Sequence, residues 1–165
     1  MSIAQPYSFN QYADGYRFDT DNGIFYRVKF SDGSFYFVDL PLYIPVFEVS
    51  ISTISLGDHL SPPRDARVEA TIVEIFRLFF LTHENSIIYV CDNLHQKQAA
   101  RHRKFDMWFR AHGGKELEKY DAYFIVDTME IYASLILHSL NPYKGELVRI
   151  FLTQSSEYDE DSSPK

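Results

Sequence analysis

Residues 86–114 read SIIYVCDNLHQKQAARHRKFDMWFRAHGG and gather most of the side chains able to do chemistry. Cys91 is the only cysteine. It ends a short apolar run just ahead of a predicted helix, whose free N–H groups lower the pKa of a nearby thiol. His95 follows four residues on and can act as its base, the pairing that thiol nucleophiles need. The competing reading is plain packing, the usual role of a lone cysteine at a buried strand end. Zinc is not expected, because Cys91, His95, His102 and His112 lack the paired spacing of structural zinc ligands. Nor is there a glycine-rich phosphate loop, a Gly-x-Ser-x-Gly elbow or a His-Glu-x-x-His pair.

The second candidate is an anion site made of Lys97, Arg101, Lys104 and Trp108. On a helix turning about 100° per residue, Leu94, Phe105, Trp108 and Phe109 share the main apolar face. Arg101 projects between Phe105 and Trp108, with Lys97 and Lys104 at the border. Guanidinium and ammonium groups there can hold a phosphate or carboxylate against the flat indole. Alternatively Arg101 snorkels, or pairs with a sheet carboxylate such as Asp92, Asp121 or Asp127. Arg103, Asp106 and Arg110 fall on the opposite side at pairing distance and read as a solvated face.

These residues need a strand and a helix to position them, and the chain supplies both. SIIYVC is apolar throughout, as a central strand covered on both faces must be. Asp92 or Asn93 can cap a helix over 94–111, which Gly113-Gly114 ends. Upstream, YRFDTDNGIFYRVKFSDGSFYFVDL has two turn signals and predicts a three-stranded meander. VFEVSISTI (46–54) alternates as a half-exposed strand. A helix from about Arg64 to Thr82 carries Val68, Ile72, Ile75, Phe76 and Phe79 on one stripe. YDAYFIVD, EIYASLILH and ELVRIFLT read as closing strands, although 130–138 also fits a helical period. The expected fold is α/β (α+β): a mixed, mostly antiparallel sheet with two main helices, ordered β-β-β-β-α-β-α-β-β-β.

The composition bounds the function. A chain of 165 residues with 14 Phe and 12 Tyr builds a proper core and a substantial sheet. Residues 1–154 read as one domain, and 155–165, SSEYDEDSSPK, as an acidic disordered tail. The net charge of −7 opposes nucleic-acid binding, which relies on cationic surface. Residues 95–119 reverse that balance, with seven Lys/Arg against three acids. No signal peptide or membrane-spanning run is evident, and one cysteine fits a reducing compartment, so a cytoplasmic location is expected. Aromatic strands left at a sheet edge admit a homodimer.

The element order resembles the core of the GNAT N-acetyltransferase fold over roughly residues 24–153. In that family a (Gln/Arg)-x-x-Gly-x-(Gly/Ala) loop binds the acyl-CoA pyrophosphate at a helix N-terminus. The corresponding stretch is Arg64-Asp65-Ala66-Arg67-Val68-Glu69, with Arg67 and Glu69 at the small positions. The family's Asn after the central strand is matched by Asn93, while Gln96 and Ala100 stand at its Ala and Tyr positions. The resemblance implies acetyl-CoA or another acyl-CoA as cofactor, with Arg64 and Arg67 on the pyrophosphate and Asn93 near the pantetheine arm. The string VCDNLHQKQAARHRKFDMWF also resembles an uncharacterised bacterial family, mostly from Bacteroidetes-like organisms. The expected function is a non-catalytic interaction or small-anion-binding domain without a cofactor. Its contact surface would be the basic helix 94–111, for an acidic protein partner or a small anion; the alternative is a divergent acyl-CoA-dependent N-acyltransferase.

Overall fold

The computed structural model describes residues 4–55, 64–91, 98–126 and 128–161, with the side chains at 55, 98–102, 104, 105, 124–126, 129, 130 and 156–161 left out. The elements in chain order are β1 (Asn10–Tyr12), β2 (Gly15–Asp19), β3 (Ile24–Asp32), a 3-10 turn (Ser34–Tyr36), β4 (Phe47–Ser55), α1 (Ala66–Phe79), β5 (Ser86–Cys91), α2 (Gln98–His112), β6 (Leu117–Val126), β7 (Met129–His138) and α3 (Lys144–Asp161). This is a mixed α/β fold. Its described residues form a seven-stranded, mostly antiparallel sheet, ordered β1-β2-β3-β4-β5-β7-β6, and three α-helices. None of the described helices is long and apolar enough to cross a membrane. The chain divides into two compact units, Met1–Ser31 with Val49–Leu81, and Asp32–Glu48 with Thr82–Lys165.

In the first unit, the Asp21-Asn22-Gly23 signal does form a tight turn. Gly23 takes φ +74°, and Thr20 closes the loop by donating its N–H to the Ile24 carbonyl at 2.9 Å. The resulting β2–β3 register sets Phe18 opposite Tyr26, with rings stacked at 5.0 Å. Phe30 leaves the same face to stack on Phe79 of α1 at 4.2 Å. Asp65 caps α1 by accepting the Arg67 N–H at 2.9 Å. The apolar stripe is where its spacing put it, with Ile75 and Phe76 fully buried. Thr71 lies in that stripe and is equally buried. Its hydroxyl donates to the Arg67 carbonyl and accepts the Tyr7 N–H at 2.8 Å, tying the N-terminal segment to the helix.

In the second unit, β5 pairs in parallel with β4 at Phe47↔Ile87 and Glu48↔Ile88, and antiparallel with β7 from Ser86↔Leu137 to Cys91↔Tyr132. β7 lies between β5 and β6, so every residue from Ala133 to His138 is buried. Residues 130–138 are therefore strand, which settles the ambiguity in their pattern.

Two expected strands are not strands. Residues 35–38 do not continue the meander: the Asp32 carboxylate accepts the Ser34 N–H, and the chain turns into the 3-10 segment. ELVRIFLT lies within α3, so the described residues form three helices where two were expected. Its buried residues Leu147, Ile150 and Phe151 recur at helical spacing and pack in one cluster with Phe37, Ile44, Val46, Ile88 and Leu135. Between β7 and α3, the Asn141 side chain accepts the Tyr143 N–H at 2.8 Å, a turn that leads the chain into the helix. α3 runs on through the boundary drawn at 154/155.

Candidate functional site

The helix α2 follows the end of β5, and Lys97, Asn93 and His95 lie outside the described residues, as do the side chains of Arg101 and Lys104. Cys91 is buried, 2% exposed, and aligned with Tyr132 of β7. A thiol so enclosed offers little access to an external electrophile.

The described part of α2 sorts its side chains clearly. Arg103, Met107, Arg110 and Ala111 are exposed, one stripe at i, i+4, i+7 and i+8. Trp108 and Phe109 are half-buried, and the Trp108 ring sits 5.9 Å from that of His112. The helix has a single acid, Asp106, and it leans toward the sheet. One of its carboxylate oxygens accepts from Lys119 Nζ at 2.9 Å, and the other meets Arg110 Nε at 3.0 Å. Lys119 also donates to both oxygens of Asp121, and Asp121 accepts the Ser134 hydroxyl at 2.7 Å. The Lys119 side chain is only 5% exposed, so this ammonium joins α2 to β6 with little solvent contact of its own, while Asp121 keeps its outer side in water.

That network was not foreseen. Arg103, Asp106 and Arg110 read as a solvated trio, yet Asp106 is half-buried and its second cation is Lys119. Asp121, weighed as a counter-ion for Arg101, is already held by Lys119 and Ser134. The signal lay in the strand period: Lys119 and Asp121 are two apart in β6 and so share a face, and Ser134 is the register partner of Asp121.

Beyond α2, Glu118 accepts from the Tyr120 hydroxyl and from Lys144. These two donors hold its carboxyl below the usual carboxylate range, and the same bond raises the Tyr120 phenol.

The residues of the acyl-CoA reading lie at the start of α1, in the first unit. Arg64 is exposed. Arg67 is engaged three ways: an ion pair with Asp21 at 3.0 Å, a bond from Nε to the Gln5 carbonyl at 3.0 Å, and stacking over the Tyr7 ring at 3.8 Å. Asp65 occupies the helix N-terminus with its own carboxylate and accepts the Tyr7 hydroxyl at 2.8 Å, which raises the Tyr7 phenol pKa. No group of three or more His, Cys, Asp or Glu able to hold a metal occurs among the described residues.

The model of a family of unknown function, DUF6169, matches residues 64–153, more than half of the chain. The chain belongs to DUF6169. The DUF6169 match takes in α1, β5, α2, β6, β7 and α3 as far as Thr153, and with them the whole Lys119 network. The hairpins of β1 to β3 precede it. No curated protein and no solved structure matches the chain.

Proposed function

We propose that this DUF6169 chain is a non-catalytic binding domain whose contact surface is the outer face of α2, directed at an acidic protein segment or a small anion. One observation carries the reading: the only acid of α2 is held between Lys119 of β6 and Arg110, so the exposed stripe presents Arg103 beside Met107 with no carboxylate of α2 left to pair with it. Between residues 98 and 112 the sequence adds Arg101 and Lys104 to that side of the balance. An apolar centre with cationic neighbours suits an acidic partner with one hydrophobic anchor. The overall charge of −7 weighs against nucleic acid. A bacterial cytoplasm is the setting we assign, on the resemblance of the β5–α2 string and on the single, buried thiol.

A titration of the ¹⁵N-labelled chain with a Glu-rich peptide tests this. The amides of 103–112 should shift, and Arg103→Glu should weaken binding by about tenfold. Unmoved α2 amides at saturating peptide would sink the proposal.

A divergent acyl-CoA-dependent N-acyltransferase on a GNAT-like scaffold is the second reading. It is favoured by the sheet order and by the parallel β4–β5 pair limited to two register positions. It is weakened by Arg67, whose guanidinium is already committed, and by the Asp65 carboxylate at the helix start, which would repel a diphosphate. Thermal stabilisation of several degrees by acetyl-CoA, and not by nucleotides, would favour it over the first.

A further inference from the structure

In the first unit, Arg17 of β2 and Arg27 of β3 are direct register partners, and like charges set opposite each other in a sheet repel. A single carboxylate stands between them. Asp14, in the turn between β1 and β2, accepts from Arg27 Nη2. It lies 3.9 Å from Arg17 Nη2, beyond hydrogen-bond length. The turn fixes this carboxylate in place. The Asp14 carbonyl accepts the Phe30 N–H at 2.9 Å, and Gly15 next to it has φ +147°, where a Cβ would overlap the Val28 carbonyl oxygen.

Arg17 is held from the other side. Its guanidinium lies 4.0 Å from the centre of the Tyr12 ring, which orients it without using its N–H groups. The Nε–H of Arg17 and the Nε–H of Arg27 are both shielded from solvent and have no acceptor among the described residues. Buried donors are nearly always paired, so two orphans side by side on adjacent strands are unusual. Lys29, two residues along β3, shares their face, as does Asp19, two residues along β2. Asp19 makes no ion pair with either arginine among the described residues. Three cations and two carboxylates leave this face with a surplus of one positive charge. The side chains of Arg17, Arg27 and Asp14 are 32%, 40% and 34% exposed, so an incoming group can reach the guanidinium edges.

We propose that Arg17 and Arg27 form an oxyanion site, with Tyr12 as its wall and Asp14 as its fixed internal counter-ion, for a phosphate group or a carboxylate bound across the two guanidiniums. The solvent-facing N–H groups that Asp14 does not use can reach the oxygens of such groups. The bound anion meets these groups and relieves the mutual repulsion of the two guanidiniums. The site is separate from α2 and stands whether or not the α2 reading does.

The test is calorimetry of the full chain with inorganic phosphate, repeated at constant ionic strength in chloride. Saturable binding is expected on the order of a millimolar, the range of a small exposed site. Arg17→Gln should weaken it at least ~10-fold, and Arg103→Ala, on α2, should leave it unchanged. Asp14→Asn keeps the shape of the turn and removes the competing carboxylate, so binding should tighten several-fold. A purely structural role for the cluster would not produce that tightening. Phosphate heats that vanish in chloride, or an Asp14→Asn variant that binds no better, overturn the proposal. Loss of binding in Arg103→Ala with none in Arg17→Gln would overturn it too and assign the anion to α2.

Discussion

Lys119 and the Arg17–Arg27 pair are opposite solutions to holding cations on a sheet. Lys119 is one ammonium between two carboxylates, Asp106 and Asp121, with Arg110 and Ser134 completing the set. Its charges balance, its donors are used, and its side chain is almost out of solvent. Arg17 and Arg27 are two guanidiniums on one carboxylate, partly exposed, with donors left over. The first arrangement is closed and holds a helix against a strand. The second is open and has capacity for a ligand. A charged cluster is therefore better judged by what remains after internal pairing than by how many charges it contains.

The contrast can be broken most forcefully at Lys119. Lys119→Ala leaves two carboxylates facing each other with their main cation gone. Breaking a fully buried pair costs about 3–5 kcal/mol; because Asp106 and Asp121 keep some exposure, roughly 2–3 kcal/mol is expected. Urea unfolding should show it as a lower midpoint at unchanged slope. A loss below about 0.5 kcal/mol would mean that Lys119 is an ordinary surface pair.

Asp14 gives a smaller effect that depends on pH. The Arg27 guanidinium beside it holds its carboxyl below the usual carboxylate range, so the folded state binds this proton less readily than the unfolded chain. Its stabilisation is therefore present above the unfolded pKa, near 3.9, and is lost as pH falls through the lower folded value. Asp14→Asn should be less stable than the natural chain at pH 6 by an amount that shrinks steadily as the pH falls below the unfolded carboxylate value. A gap that persists undiminished in acid would show that Asp14 acts through its shape and not its charge.

Much of the sheet was legible because its signals are local. The Asp21-Asn22-Gly23 turn, the α1 stripe and the apolar β5 all announce themselves within a few residues. α3 was missed because Leu147, Val148, Ile150, Phe151 and Leu152 are dense enough to satisfy either period; only burial separates Leu147, Ile150 and Phe151 from exposed Leu152. The charge pairing was missed for a different reason. Asp106 meets Lys119 across 13 residues and Arg27 meets Asp14 across another 13, and no local period predicts either partner. Cys91 and Trp108 were placed on the right elements, and the arginine pair on β2 and β3 drew no notice because it carries no motif.

The side-chain Nε–H resonances of the arginines test the central claim most directly, followed in the full chain as inorganic phosphate is added. Arg17 and Arg27 should shift saturably as phosphate binds across their guanidiniums, while Arg103, on α2 and outside that site, should not. Arg67, Arg77 and Arg110 should stay still, because theirs already meet Gln5, Glu74 and Asp106. Equal movement of all six, or movement confined to the paired three, would contradict the account.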